Sequence, residues 1–162
     1  MKKILVVSDT HGRLTGLEEA IEAEKPIDLL IHLGDVEGDK EEIQEMAGCP
    51  AEIVKGNNDF FSALPREKEI WLLGHKALLT HGHDYGVSVG DEMLRDEARA
   101  RGCDIVMYGH THRPVLDVND KGLTVINPGS LSYPRQIGHK PTYAVITMDE
   151  RRNLSFEIKE LG

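Results

Sequence analysis

The sequence predicts a mixed α/β (α+β) fold in which two mixed β-sheets pack face to face with helices on the outside. Two observations carry this prediction. In the first half of the chain, short apolar runs alternate with helical patterns, which is typical of parallel strand–helix–strand units. In the second half, apolar runs are separated by short polar turns, which is typical of antiparallel hairpins. A strand-rich second half after such a first half favours two sheets.

Three strands and two helices are predicted in the first half. Thr15 opens the first helix, and Glu18 has the spacing that completes a capping box. The second helix is predicted to begin at Asp39 and to end before Gly48, which suits a left-handed cap. The predicted strands cover residues 3–8, 27–33 and 51–55.

The second half is expected to be mainly antiparallel. A helix is predicted over residues 89–101, because acidic residues open it, arginines close it and Gly102 follows. It leads into the apolar run of residues 104–108. The predicted hairpins pair residues 69–73 with 76–80, 115–118 with 123–126, and 143–148 with 154–158.

Length and charge limit the class of protein. One domain over residues 1–162 is predicted, since 162 residues suffice for one sizeable core but not for two ordinary domains. The formal net charge of -9 argues against a surface that wraps nucleic acid and against a basic membrane patch. No apolar run approaches the roughly 20 residues of a membrane span. Cys49 and Cys103 are predicted to be free thiols, and a cytoplasmic location is expected.

Seven potential metal ligands follow predicted strands, each near a glycine. Ligands at the carboxyl ends of parallel strands gather at one edge of a sheet, so these side chains are expected to converge. They offer oxygen or imidazole nitrogen and no thiolate, a mixture that suits Mn²⁺, Fe²⁺, Zn²⁺, Co²⁺ or Ni²⁺ better than Ca²⁺. Seven are too many for one tetrahedral ion and about right for two ions that share a carboxylate. The seven are Asp9, His11, Asp35, Asn57, His81, His110 and His112.

Five motifs in this order resemble those of the calcineurin-like metallophosphoesterase superfamily, and more narrowly its short bacterial and archaeal phosphodiesterase branch. Asp and Asn are common in turns, but five motifs in the same order are far more specific than any one of them. The resemblance covers residues 4 to about 135 and includes Asn127-Pro128-Gly129-Ser130. The motifs are Asp9-x-His11, Gly34-Asp35, Gly56-Asn57-Asn58-Asp59, His81-Gly82-His83 and Gly109-His110-Thr111-His112.

The resemblance implies a four-layer αββα sandwich with two divalent metal ions. Mn²⁺ is the expected metal, with Ni²⁺, Zn²⁺, Fe²⁺ and Co²⁺ as alternatives. The implied reaction is hydrolysis of a small phosphoester by attack of a metal-bound hydroxide, with neither a membrane nor nucleic acid as the expected partner. A homodimer or homotetramer is expected because family members often form them. By motif, one ion would be held by Asp9, His11, Asp35 and His112, and the other by Asp35, Asn57, His81 and His110, with Asp35 bridging.

One position departs from the family pattern. Many members have a histidine after the first asparagine of the third motif, and that histidine is thought to protonate the leaving oxygen or to hold the phosphate; this chain has Asn58. An amide can donate a hydrogen bond to phosphate but cannot act as an acid near pH 7. Three roles are open to His83: orienting His81, touching the phosphate or supplying the proton. The catalytic candidates are therefore Asp35, Asn58 and His83.

A second hypothesis is a non-enzymatic protein-binding scaffold. The retromer scaffold subunit of eukaryotes resembles the same family and holds partners on surface patches. Loss of metal ligands marks such scaffolds, and here all seven positions are filled, which favours the enzyme. Elsewhere, His32 is interpreted as a satisfied core or second-layer histidine. Ser130 is interpreted as a turn residue rather than a phosphate contact, and Phe60 and Phe61 as ordinary packing rather than an apolar wall for a substrate or a subunit contact.

Because Asn58 cannot donate a proton, we predict that hydrolysis depends strongly on the pKa of the leaving group. Nitrophenyl esters should be hydrolysed much faster than alkyl esters. The measurement is kcat/KM across a series of aryl and alkyl phosphodiesters. A flat dependence would show that another group supplies the proton.

Overall fold

The fold is built from two mixed five-stranded sheets and three α-helices. The computed structural model describes residues 2–38, 40–60, 62–135, 138 and 140–162. A short 3-10 turn lies at His83–Tyr85. In chain order the elements are β1 (Lys2–Val7), α1 (Thr15–Glu24), β2 (Leu29–His32), α2 (Lys40–Ala47), β3 (Ala51–Ile53), β4 (Glu67–Leu72), β5 (His75–Thr80), α3 (Glu92–Ala100), β6 (Ile105–Met107), β7 (Val115–Asp120), β8 (Leu123–Asn127), β9 (Thr142–Met148) and β10 (Leu154–Glu160).

The first sheet has the strand order β10-β9-β1-β2-β3, and the second has the order β4-β5-β6-β8-β7. Strands β1, β2 and β3 are parallel, and so are β5, β6 and β8. The antiparallel strands enter as hairpins: β9 and β10 extend the first sheet beyond β1, while β4 and β7 flank the second. The parallel strands therefore form one side of the first sheet, with β3 at its edge, and the centre of the second, and parallel strands present their carboxyl ends at one edge.

A buried apolar layer joins the two sheets. It contains Ile4 and Ile31 from the first sheet and Leu79 and Met107 from the second, all at most 2% exposed. Neighbouring residues on the same strands point the other way, because side chains alternate along a strand. Burying one such side chain stabilises the fold by roughly 1.5–3 kcal/mol, so this layer holds the two sheets face to face.

The helices cover the outer faces of the sheets. On the first sheet, Leu17 of α1 and Ile43 of α2 pack in one cluster with Leu5 of β1. On the second sheet, Leu94 of α3 packs with Val106 of β6. The order of layers is helix, sheet, sheet, helix, which confirms the predicted four-layer αββα sandwich.

The first-half elements match the prediction, but the capping box does not. Thr15 is the first helical residue and Leu14 occupies the N-cap position, where no side chain caps the helix. The Glu18 amide that Thr15 was predicted to bind donates instead to the Leu14 carbonyl at 2.9 Å. Gly48 has the predicted left-handed conformation after α2, with φ of 67°. Asp39, the predicted start of α2, lies outside the described residues.

The second half is mainly antiparallel, as predicted, but the prediction did not include the parallel strands at the centre of the second sheet. The three predicted hairpins are present, but α3 acts as a crossover between β5 and β6, which makes those strands parallel. Strand β8 then also pairs parallel to β6 because β7 turns the chain before it. The last hairpin joins the first sheet rather than the second. Among the described residues, no helix is long and apolar enough to cross a membrane.

Candidate metal centre

The seven predicted ligands converge where the carboxyl ends of the two parallel strand sets meet. Residues after β1, β2 and β3 supply one side, and residues after β5 and β6 supply the other. The His81 ring links the two sheets directly, since its Nδ1 lies 2.7 Å from the Leu33 carbonyl oxygen. The side chains form two groups that share Asp35. Metal binding by either group stays a prediction.

The first group contains Asp9, His11, Asp35 and His112, whose ligand atoms all lie within 4.8 Å of one another. His112 Nε2 is 3.1 Å from His11 Nε2 and 3.2 Å from Asp9 Oδ1. Asp35 Oδ2 is 3.6 Å from His11 Nε2. Atoms that each bind one ion at about 2 Å lie about 3 to 4 Å apart, so this spacing fits a small divalent cation.

The second group contains Asp35, His81 and His110. His81 Nε2 lies 3.4 Å from the same Asp35 Oδ2 that faces His11. His110 Nδ1 lies 3.2 Å from His81 Nε2 and 3.2 Å from Asn57 Oδ1, which brings Asn57 into the group. One oxygen of Asp35 therefore faces both groups, as a bridging carboxylate would.

The buried carboxylate of Asp9 is only half satisfied. Its Oδ2 accepts hydrogen bonds from Ser8 Oγ at 2.6 Å and from the His110 amide at 3.0 Å. Its Oδ1 is buried and has no hydrogen-bond partner of acceptable geometry among the described residues. A buried acceptor without a partner is costly, and one that carries negative charge is more so. A cation among the neighbouring imidazoles would satisfy it, so the residues fit the metal ions that the motifs predict.

Main-chain carbonyls orient two of the imidazoles. His81 Nδ1 lies 2.7 Å from the Leu33 oxygen, and His112 Nδ1 lies 2.7 Å from the Tyr133 oxygen. A carbonyl only accepts, so each Nδ1 carries the proton and donates it. The Nε2 atoms, which face the carboxylates, are then the atoms that would give up a proton to bind an ion. Ligating histidines in metal sites are commonly fixed in this way.

The loops that carry the ligands have a backbone that most residues avoid. Five of the seven predicted ligands have a positive φ, between 49° and 71°. Non-glycine residues rarely adopt this conformation, and each instance costs about 1–3 kcal/mol unless the surroundings enforce it. Such strain clusters at functional sites. The five are Asp9, His11, Asp35, His110 and His112.

Two glycines let the loops approach closely. A Cβ on Gly56 would lie 2.2 Å from the Asp35 amide nitrogen and 2.2 Å from its Oδ1. A Cβ on Gly109 would lie 2.0 Å from Ser8 Oγ. No side chain fits at these distances, so the glycines of the third and fifth motifs are required by packing around the two aspartates.

The two aspartates are ionised in spite of their burial. Burial alone would raise the pKa of Asp9, but His112 and the charge of His81 outweigh it and lower the pKa below its ordinary value. For Asp35, burial is likewise outweighed by His81 and by hydrogen bonds from Asn58, and the net pKa lies well below the ordinary range. The same carboxylates raise the pKa of His81 against the effect of its own burial.

Asn58 holds Asp35 in place. Its side-chain Nδ2 donates to Asp35 Oδ2 at 2.9 Å, and its main-chain amide donates to Oδ1 at 2.9 Å. The predicted hydrogen bond from Asn58 to phosphate stays a prediction. Asp59, whose usual histidine partner is missing, closes the loop by accepting from the Gly56 amide at 2.8 Å and the Glu37 amide at 2.7 Å.

His83 stands beside the second group. Its ring centroid lies 5.4 Å from that of His81 and 6.1 Å from that of His110. Its Nδ1 is buried without a hydrogen-bond partner in the part of the chain that the structure describes. Burial lowers the pKa of His83, so the ring is neutral near pH 7. The structure therefore brings His83 to the site, and its role in catalysis stays a prediction.

Two residues at the site were missed from the sequence. Glu37 accepts a hydrogen bond from His11 Nδ1. Tyr133 binds His112 through its carbonyl and places its ring against His11, with centroids 5.4 Å apart. The position of Glu37 two residues after Asp35 was the available signal for the first. Nothing in the sequence pattern signalled the second, because Tyr133 lies beyond the last motif.

The structure agrees with the interpretations of His32 and Ser130 but not with that of Phe60. His32 is fully buried with Nε2 3.0 Å from Thr10 Oγ1, and burial lowers its pKa to about 4. Ser130 accepts from the Tyr133 amide within its turn and donates to the Asp9 carbonyl. Phe60 is 74% exposed, so its assignment to ordinary packing is wrong. Phe61 lies outside the described residues.

Comparison with known protein sequences agrees with this geometry. The model of the calcineurin-like phosphoesterase superfamily domain matches residues 1–151. A probable metallophosphoesterase of Bacillus subtilis, YsnB, is 34% identical over 151 residues, which cover 90% of this chain and 84% of YsnB. Phosphodiesterase YfcE of Escherichia coli is 28% identical over 174 residues, covering 92% of this chain and 89% of YfcE.

Solved structures share the fold. A predicted phosphoesterase from Streptococcus pneumoniae superposes with a TM-score of 0.79 at 26% identity, covering 98% of this chain and 97% of the other. Vps29 of Entamoeba histolytica, solved in complex with Zn²⁺, superposes with a TM-score of 0.76 at 20% identity over 99% of both chains. With the family-model match and the YsnB identity, the predicted resemblance is confirmed: this chain belongs to the calcineurin-like phosphoesterase superfamily.

Proposed function

We propose that this protein is a metal-dependent phosphodiesterase that hydrolyses a small phosphoester with two divalent metal ions. One observation carries the proposal: seven side chains with oxygen or nitrogen ligand atoms form two groups that share Asp35. A buried oxygen of Asp9 beside them has no hydrogen-bond partner among the described residues. Mn²⁺ is the metal we favour, because carboxylate, amide and imidazole ligands without thiolate suit it. The names of YsnB and YfcE support the same class of reaction.

The side chains that would bind the two metal ions are held in position by hydrogen bonds. Two bound dications would supply a water-derived nucleophile near neutral pH and would neutralise charge on the phosphoryl oxygens. Asp35 lies between the two groups, and the two Asn58 donors fix its orientation. His81 and His112 are held by main-chain carbonyls, so their Nε2 atoms stay directed at the carboxylates.

Glu37 positions His11. The His11 ring is held by the Glu37 carboxylate on one side and faces the first group with its other nitrogen. The Glu37 main chain is itself fixed, because its amide donates to Asp59. A carboxylate behind a ligating imidazole fixes its tautomer and the orientation of its ring.

A protein-binding scaffold remains the second candidate. The likeness to Vps29 establishes the fold alone, since the identity is 20%. The specific observation in its favour is that apolar side chains are exposed on both edge strands of the second sheet, Trp71 on β4 and Val118 on β7. Tight metal binding without turnover would favour this candidate.

The proposed function predicts that activity follows the metal and Asp35. Protein stripped by a chelator should not hydrolyse bis(4-nitrophenyl) phosphate, and activity should return with about two Mn²⁺ per chain. The Asp35→Asn variant should lose at least about 100-fold in kcat, because the shared ligand loses its charge. Asp96→Asn, which changes an exposed aspartate on α3, is the matched control and should retain activity. Full activity in stripped protein would contradict the proposal.

The role of Glu37 predicts weaker binding of one metal ion. In calorimetric titration of stripped protein with Mn²⁺, Glu37→Gln should weaken one of two binding events about 10-fold and leave the other nearly unchanged. Glu22→Gln, at an exposed position on α1, controls for loss of a surface charge. Equal titrations of wild type and Glu37→Gln would show that Glu37 does not act through His11.

A further inference from the structure

An exposed aromatic ring lies at the edge of the candidate metal centre. Tyr133 is 41% exposed, although its ring meets the His11 ring edge to face at 5.4 Å. The Arg13 guanidinium lies 4.9 Å from the centroid of the same ring. Tyr133 also lines an open cleft of about 590 Å³ together with His11, Glu37, His112, Pro134 and Arg135, and the Glu37 carboxylate in this lining is held by His11. That volume falls in the range of small-molecule sites.

The position of Tyr133 is fixed relative to the metal centre by its main chain. Its carbonyl accepts from His112 Nδ1 at 2.7 Å, and its amide donates to Ser130 Oγ at 2.8 Å. Two residues further on, the Arg135 amide donates to the His112 carbonyl at 3.1 Å. The segment is thus held at three points, two on the predicted ligand His112 and one on Ser130, and Tyr133 and Arg135 both line the cleft.

Arg135 lines this cleft, and Arg13 lies over the Tyr133 ring. Arg95, Arg99 and Arg101 form ion pairs with acidic residues. Within the described residues, the guanidinium groups of Arg13 and Arg135 have no carboxylate partner, although the protein carries a net charge of -9. Guanidinium groups bind phosphate with directed hydrogen bonds. A cleft that holds an exposed aromatic ring and an arginine without a carboxylate partner offers a site for an anion with a planar group.

We infer that the preferred substrate is a small nucleoside phosphodiester whose base stacks on the face of Tyr133 opposite Arg13 while Arg135 contacts its phosphate-bearing end. This inference rests on the proposed function and adds the substrate class. Stacking on an aromatic side chain tolerates any base, because every base has a π face. In the reaction, water adds to phosphorus and the bond from phosphorus to the leaving oxygen breaks. The products are a nucleoside monophosphate, an alcohol and a proton.

The test compares two diesters with the same leaving group. 4-Nitrophenyl thymidine 5′-phosphate and 4-nitrophenyl ethyl phosphate both release nitrophenolate, so a difference in kcat/KM reports the group that stays on phosphorus. With Mn²⁺-loaded protein, the thymidine ester should be favoured about 10-fold or more. Tyr133→Leu should reduce this ratio to about one, and Tyr133→Phe, which keeps the ring, should preserve it.

Matched variants distinguish the loss of a contact in the Tyr133 cleft from the loss of an exposed aromatic ring or an arginine elsewhere. Trp71→Leu removes another exposed aromatic ring, on β4 and 75% exposed, and should leave the ratio unchanged. Arg135→Gln should raise KM for both esters several-fold, whereas Arg151→Gln, in the turn between β9 and β10, should not. The inference is overturned if wild type shows no preference for the thymidine ester, or if the preference survives in Tyr133→Leu.

Failure of the proposed function can be distinguished from failure of this inference. If neither ester is hydrolysed, the phosphodiesterase proposal fails, and binding decides the inference. Equilibrium dialysis of thymidine 5′-phosphate and ethyl phosphate against Mn²⁺-loaded protein then replaces kinetics. Binding of the nucleotide that is about 10-fold tighter than that of ethyl phosphate, and lost in Tyr133→Leu, supports the site. Equal binding of the two overturns it.

Discussion

Two carboxylates buried at the ends of adjacent parallel strands are the constraint on which the site depends. Asp9 and Asp35 lie at most 1% exposed, and both have pKa values below the ordinary range despite their burial. Negative charge buried in the protein destabilises the fold unless cations balance it. Imidazoles near Asp9 Oδ1 balance part of this charge, but this oxygen accepts no hydrogen bond from the described residues. Metal ions would complete the balance and displace protons from the imidazoles.

The two sheets surround these carboxylates with imidazoles and other potential metal ligands from both sides. One sheet carries the aspartates after β1 and β2, and the other carries His81 and the histidines after β6. The apolar layer between the sheets sets their separation, and the ligand loops bend into the left-handed region to reach the shared point. Glycines such as Gly56 and Gly109 remove the Cβ atoms that would keep these loops apart. The strain in the loops is the cost of this convergence.

The sequence was sufficient to predict the strands and the candidate ligands, because both depend on local patterns of residues. Strand positions followed from apolar runs, and the seven candidate ligands followed from polar residues beside glycines at strand ends. Pairing between distant strands was not encoded locally, so the parallel centre of the second sheet was missed. Tyr133 was missed for the same reason, because it reaches His112 through a main-chain carbonyl and not through its residue type. The capping box at Thr15 failed because the Leu14 carbonyl had already bound the Glu18 amide.

The central claim is that Asp35 is shared by two metal ions. Anomalous diffraction from crystals of the protein grown with Mn²⁺ tests it most directly, since it locates each ion without reference to activity. The account predicts two anomalous peaks roughly 3.5–4 Å apart, with an Asp35 oxygen between them. The first peak should lie among Asp9, His11 and His112, and the second beside His81 and His110. A single peak, or peaks away from Asp35, would contradict it.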